Sequence, residues 1–252
     1  MNVLVCVKRV PMTGGKIVLT EDERAISTRH LGFTVSPHEE CGVEEAVRIV
    51  EQHGGESVVL TLGPPEAEEQ LRDMMAIGAD RAIHLVTEPT SEWDPQATAE
   101  AIVAAIREDG GSFELILFGN ESADAGNYQV PIRVARALGL PCVTGVKAIT
   151  VQDGLFRCEQ EVAGGRDVYL VGAPAVVSVK EGINLPRYPS VPGRLRAKRK
   201  PVASSTPERP APRLEMVRLK LPPSSGKQVQ VLGNGAEAAP AVVEVLRELG
   251  VV

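Results

Sequence analysis

Four nearly continuous apolar runs, at residues 2–10, 57–62, 81–86 and 113–119, dominate the first half of this chain. A strand that is apolar on both sides must be buried on both faces, as in a parallel sheet held between two helical layers. The intervening segments carry helix signals. Ser36 suits an N-cap, Pro37 suits the first helical position, and Glu39 completes a capping-box spacing. Val43, Ala46, Val47 and Val50 then form one apolar stripe, and Gly54-Gly55 ends it. Further helices are predicted over 65–77 before Gly78, over 95–107 behind Asp94, and over 128–138 before Gly139. Repeated strand–helix alternation with short connections predicts an α/β domain with a mostly parallel, doubly wound sheet. Residues 11–36 read as a loop with a hairpin-like excursion, with a turn at Gly14-Gly15 and a short strand from Lys16 to Thr20.

The chain changes character after residue 141. Short strands are predicted over 142–151, 155–161, 167–170 and 175–180, with Asp153-Gly154 and Gly164-Gly165 as hairpin turns. They predict an antiparallel extension of the same sheet. Residues 182–200 follow, with Pro186, Pro189 and Pro192 close together and then Arg194, Arg196, Lys198, Arg199 and Lys200 with no acid among them. Each proline fixes φ and removes a donor, so 183–192 is neither a central strand nor a long helix. The pattern predicts a stiff loop followed by a solvated cationic segment, the shape of a docking surface. From residue 201 the sequence is too rich in Pro and Ser for a core, and helical periodicity returns over 235–249. The expected organisation is an α/β domain over 1–200 and a C-terminal arm with a terminal helix over 201–252.

Composition narrows the function. The net charge is −6, so general nucleic-acid binding is not expected. No run approaches the roughly 18 apolar residues of a membrane span. The N-terminus reads as a first strand with no targeting segment, which predicts a cytoplasmic protein. Cys6, Cys41, Cys142 and Cys158 are far apart, as are His30, His38, His53 and His84, so no metal site is expected.

Ligands of open parallel sheets bind beyond the carboxyl ends of the strands, where strand order reverses. Three loops qualify: 7–11, where Lys8 and Arg9 suit a phosphate; 62–64; and 119–131, whose small and polar residues lead into a helix N-terminus. There is no phosphate-binding P-loop, no GxGxxG and no nucleophile elbow. The acid pair Glu44-Glu45 reads as part of a solvated helix face.

Four segments in order give these features a common identity: Val7-Lys-Arg-Val-Pro, Ser36-Pro with Val43-Glu-Glu-Ala-Val-Arg, Ala76-Ile-Gly-Ala-Asp-Arg-Ala, and Gly182-Ile-Asn-Leu-Pro-Arg-Tyr-Pro-Ser-Val-Pro with Ala197-Lys-Arg-Lys. The chain resembles the beta subunits of electron transfer flavoproteins. The resemblance implies an adenine nucleotide alpha hydrolase-like α/β domain whose arm wraps an alpha subunit that holds most of the FAD. It implies an electron carrier, not an enzyme, serving flavin-dependent dehydrogenases such as acyl-CoA dehydrogenases. It also implies a structural AMP, held by Cys6, Ser36, Pro37, His38, Glu39, Leu62, Gly119, Asn120, Asp124, Gly126, Asn127, Gln129 and Val130. Flavin contacts would fall at His38 and Thr13. The proline loop would be the recognition loop, with Val191 as anchor beside Tyr188 and Pro192, and with Arg194, Arg196, Lys198, Arg199 and Lys200 steering an acidic partner. Two alternatives stay open: a bifurcating type with a second FAD in the AMP position, and a stand-alone nucleotide-sensing module. A hydrolase on the same fold lacks a nucleophile and base.

Overall fold

The computed structural model describes residues 1–14, 17–89, 93–223 and 229–252. Gly15 and Lys16, assigned above to a turn and the start of a strand, lie outside the described residues. In chain order the strands are β1 (Val3–Cys6), β2 (Arg9–Pro11), β3 (Phe33–Val35), β4 (Ser57–Gly63), β5 (Arg81–Val86), β6 (Leu115–Gly119), β7 (Cys142–Gln152), β8 (Leu155–Val162), β9 (Gly165–Gly172), β10 (Ala175–Val179) and β11 (Val202–Ser205). The helices are α1 (Pro37–His53), α2 (Glu68–Ile77), α3 (Pro95–Asp109), α4 (Val130–Leu138), α5 (Val191–Ala197) and α6 (Ala239–Glu248).

Nine strands form one sheet in the order β11-β5-β4-β1-β6-β10-β7-β8-β9. Neighbours from β11 to β7 are parallel, and only the β7–β8 and β8–β9 pairs are antiparallel. The period-two alternation of strand side chains splits the core in two. Val3, Val5, Val59, Leu115 and Val177 meet Val43, Val47, Leu71 and Met75 of α1 and α2. Leu4, Leu60, Ile116 and Phe118 meet Ala99, Ile102, Val103 and Val134 of α3 and α4 on the other face. The third of the four segments, Ala76 to Ala82, is a structural turn. A side chain at Gly78 would meet Val47 Cγ1 at 2.7 Å, so glycine lets α2 end against α1. Asp80 accepts from Ser57 N–H and Oγ at 2.8 Å each, and Arg81 forks onto Asp109 at 2.7 and 2.9 Å.

Several expectations are corrected. The first apolar run is two strands. β1 ends at Cys6, and Arg9–Pro11 leaves the sheet to pair with Phe33–Val35 in a separate antiparallel ribbon. β10 does not belong to the antiparallel section. Its five residues are all buried, and it runs parallel between β6 and β7, which places the β7–β9 ribbon at the sheet edge. Asp153 and Gly154 both have positive φ, as a two-residue hairpin turn requires. The second hairpin turns one residue earlier than expected, at Ala163-Gly164, because Gly165 already pairs with Val162. Val202–Ser205, read as linker, is an edge strand beside β5. Glu44 and Glu45 are not solvated: they are 1% and 9% exposed, covered by the chain from 184 to 187.

The cationic segment is also only partly solvated. Ser190 Oγ caps α5 by accepting from Gly193 N–H at 3.1 Å. Gly193 lies so close to α2 that a Cβ would be 2.9 Å from the Ala76 carbonyl oxygen. Lys200 Nζ donates to the carbonyls of Met75, Gly78 and Ala79 at 3.1, 3.1 and 2.5 Å. These carbonyls end α2 and its exit turn, where acceptors lack intrahelical partners. Lys200 is therefore a helix cap and not a steering charge, while Arg194, Arg196, Lys198 and Arg199 remain exposed. Among the described residues no helix is long and apolar enough to cross a membrane. Lys200→Met is expected to lower folding stability by about 1–3 kcal/mol through the unsatisfied acceptors. Urea denaturation checks this, and an unchanged midpoint would mean that water replaces the ammonium without loss.

Candidate functional site

The carboxyl ends of β1, β4 and β6 open into a cleft of about 310 Å³. It sits where strand order reverses, because β4 and β6 flank β1 on opposite sides. Cys6, Leu60, Leu62, Ile102 and Phe118 make an apolar lining. Lys8, Arg9 and Glu39 stand on one side, and residues 119–122 and 127–131 on another. The last group leads into the N-terminus of α4, whose first N–H groups have no helical acceptor.

Of the residues expected here, Cys6, Glu39, Leu62, Gly119, Asn120, Asn127, Gln129 and Val130 line the cleft. Ser36, Pro37, His38, Asp124 and Gly126 do not; they build its frame. Ser36 Oγ accepts from Ala123 N–H at 3.0 Å and so ties the 119–131 loop to the start of α1. Pro37 begins α1. Asp124 pairs with Lys8 at 2.7 Å, which turns the lysine expected to meet a phosphate into a strap across the cleft edge. Gly126 takes a left-handed φ of 54° in that loop. His38 Nδ1 accepts from Glu181 N–H at 2.7 Å, so its proton is on Nε2, 3.5 Å from the Glu121 carboxylate. Thr13 is exposed. A side chain at Gly119 would meet Glu39 Cγ at 2.5 Å, so glycine there lets β6 end directly against α1.

The charges of the site have distinct environments. Glu39 is 6% exposed, and its Oε2 accepts from the N–H groups of Lys8 at 3.1 Å and Ser36 at 3.3 Å. Burial outweighs these bonds and pushes its pKa up to about 8. Burial also acts to raise Asp124, but Lys8 and the hydrogen bonds to it overcome that and hold it below the usual carboxylate range. The Cys6 thiol is pushed up by burial and then by Glu39, so it is a neutral wall and not a nucleophile. The Arg9 guanidinium lies over the Phe33 ring at 3.2 Å, and its buried Nε has no hydrogen-bond partner. An orphaned cationic donor on one wall and a helix N-terminus on another fit an anionic ligand with an apolar body.

Sequence reading missed Thr87, Trp93 and Thr98, which also line the cleft; Pro64 and Tyr128 line it from within the expected loops 62–64 and 119–131. Trp93 carried the available signal: it is the one tryptophan in a chain with 3% aromatics, and it precedes the N-cap Asp94. Tyr128 belongs to the expected 119–131 loop, between Asn127 and Gln129. Its positive φ of 56° turns the loop into α4.

Glu39 makes stability depend on pH in a defined sense. Its ordinary pKa is 4.5, and the folded value is higher, so between about 4.5 and 8 the native state keeps a proton that the unfolded state has lost. Stability therefore falls as pH rises through that window, and the full penalty is present above it. Glu39→Gln is expected to raise the melting temperature at pH about 9, by a stability gain on the order of a few kcal/mol, and to give almost none at pH about 4. An equal gain at both pH values would place the effect outside Glu39 ionisation.

Comparison with known proteins gives the chain a family. The family model described as electron transfer flavoprotein domain matches residues 25–209. The chain is 36% identical over 232 residues to the electron transfer flavoprotein subunit beta of Syntrophomonas wolfei, covering 92% of this chain and 90% of that one. It is 32% identical over 256 residues to the subunit beta of Bacillus subtilis, covering 98% of each, and 36% identical over 210 residues to that of Mycobacterium leprae, covering 81% and 79%. With the 119–131 loop and the proline loop both inside the matched region, the chain belongs to the electron transfer flavoprotein beta-subunit family.

Proposed function

We propose that this chain is the beta subunit of a heterodimeric electron transfer flavoprotein, taking electrons from flavin-dependent dehydrogenases such as acyl-CoA dehydrogenases to a downstream acceptor in the cytoplasm. In this reading its α/β part is of the adenine nucleotide alpha hydrolase-like type. The cleft holds AMP as a structural nucleotide, and the chain completes the FAD site of an alpha subunit. FAD, when bound, supplies all of the redox chemistry. The chain's own residues bind, orient and exclude water, and none is assigned a bond-making role.

The observation that carries this reading is the cleft itself. Its volume of about 310 Å³ is at the small end of the roughly 300–1,000 Å³ of ligand sites, which suits a mononucleotide better than a second FAD. The apolar lining suits a base. The α4 N-terminus and Arg9 suit a phosphate. Leu62, Asn127, Gln129 and Val130 would hold the nucleotide directly, and Ser36 and Asp124 would hold the loop that carries them.

Two surfaces support a partner-dependent protein. Beyond β11 the chain leaves Leu214, Val217, Val242, Val243 and Leu249 exposed, a pattern suited to an arm packed on an alpha subunit. Leu185, Tyr188 and Val191 of the proline loop are 84%, 89% and 73% exposed, with Arg194, Arg196, Lys198 and Arg199 behind them. They suit docking to an acidic dehydrogenase surface.

The heterodimer purified after co-expression is expected to release one FAD and one AMP on denaturation, and the isolated chain is expected to be colourless. Two FAD would establish the bifurcating type instead. Val191→Asp is expected to raise the KM for electron transfer from a dehydrogenase by about tenfold with flavin content unchanged. Loss of flavin would instead make the loop a structural element of the FAD site.

A further inference from the structure

Glu44 lies outside the cleft, yet it is among the most deeply buried charges of the chain. Its carboxylate accepts four hydrogen bonds. Three come from Arg187: the main-chain N–H at 3.1 Å, Nε at 2.9 Å and Nη2 at 3.1 Å. The fourth comes from Arg48 Nε at 2.7 Å. Arg187 turns its other edge to Glu51, with contacts of 2.6 and 3.0 Å. Arg48 also donates to the Leu185 carbonyl at 3.3 Å. One turn earlier, Asn184 Nδ2 donates to the Cys41 carbonyl at 3.0 Å and to Glu45 at 2.9 Å.

These acceptors and donors sit at helical spacing. Cys41, Glu44 and Glu45, Arg48 and Glu51 follow one face of α1, one turn apart. Together they fix a segment that makes no strand pairing of its own. The outcome is unusual for a loop. The backbone of 184–187 is held by a buried carboxylate and a bidentate guanidinium, while the adjacent Leu185 and Tyr188 side chains stand in solvent. Exposed apolar side chains on a fixed backbone lose little freedom on association, which is how preorganisation gains affinity.

We propose that Glu44 is the positioning residue of the docking loop: through Arg187 it holds the backbone from 184 to 188 on α1, so that Leu185 and Tyr188 are presented in their binding geometry before any partner arrives. This rests on the docking reading of residues 182–192. Glu44 does not line the cleft; it acts through Arg187. Charge is part of the device. Burial acts to raise Glu44, but the hydrogen bonds from Arg187 and Arg48 hold it below the usual carboxylate range, so the clamp is an ion pair at neutral pH.

The test uses the complete heterodimer with Glu44→Gln, which keeps shape and removes charge. Amide exchange at Arg187 is expected to speed up by about tenfold, because its acceptor is weakened. With an acyl-CoA dehydrogenase that the wild-type heterodimer reoxidises, KM for the heterodimer is expected to rise by about tenfold while kcat changes by less than about twofold. AMP and FAD contents should be unchanged. Arg187→Gln changes the pair from the loop side and guards against misfolding of the first variant. It should give the same two effects, and the double variant no more than either single change. Arg187→Lys should fail to restore the wild-type KM, because an ammonium cannot span both carboxylates as the guanidinium fork does. Unchanged amide exchange at residue 187 in both single variants overturns the proposal, as does faster exchange with an unchanged KM. If Val191→Asp also leaves KM unchanged, the docking reading is what has failed, and the exchange measurement still decides whether Glu44 orders the loop.

Discussion

Helix α1 buries three carboxylates, Glu39, Glu44 and Glu45, and the rest of the molecule is arranged around compensating them. Removing an ionised carboxylate from water is costly unless it gains partners of good geometry. Each of the three gains different ones. Glu39 takes two backbone N–H groups at the cleft and remains undercompensated, so burial drives it toward the neutral form. Glu44 takes an arginine fork and a second arginine and stays ionised. Glu45 gains chiefly the amide of Asn184, and burial leaves it raised. The N-terminal end of the helix thus belongs to the cleft, and its outer face belongs to the proline loop.

The sheet was largely legible because its signal is local. β4 and β5 lie almost where the apolar runs place them, and α1 and α3 begin at their predicted caps, with Asp94 Oδ1 accepting from the N–H groups of Gln96 and Ala97. What was illegible depends on partners distant in sequence. Nothing in Lys8-Arg-Val-Pro says that the run leaves the sheet at residue 7 to meet 33–35. Lys200 looks like any other member of a basic run until α2 supplies three carbonyls. Glu44 and Glu45 have the composition of a solvated face, and only the loop 143 residues away from Glu44 covers it. The candidate site shows the same division. The loops at the strand ends were readable from the rule for open sheets. Trp93 and Thr98, which enter the cleft through α3 and the turn before it, were not.

The layout of charge in the cleft argues for holding and against turnover. A site built for acid–base or nucleophilic chemistry exposes groups poised to exchange protons with a substrate. Here Lys8 and Asp124 neutralise each other, Cys6 is a buried neutral thiol, and Glu39 spends one oxygen on two main-chain donors. Lys8, Asp124 and Glu39 are committed to joining β1, α1 and the 119–131 loop.

The same helix also bears on the proposed reading, in which a nucleotide fills the cleft and a flavin carries the chemistry. Glu39 and Glu51 are twelve residues apart on one rod, about 18 Å at 1.5 Å per residue. A hydrogen-bonded helix of that length changes shape far less readily than a loop does. Anything that seats the N-terminal end of α1 against β6 also sets the direction of its outer face. At one end the seat is close, since Gly119 admits Glu39 with no room for a side chain, and Ser36 closes the loop over it. At the other end Arg187 grips Glu44 and Glu51. Electron transfer falls steeply with distance, so in the proposed reading a docked dehydrogenase would have to be held at a defined separation from the flavin. A nucleotide packed against the start of α1 and a recognition loop clamped to its flank would share one rigid reference. Filling the cleft would then act on docking by stiffening the base on which the loop is mounted, with no contact between the two.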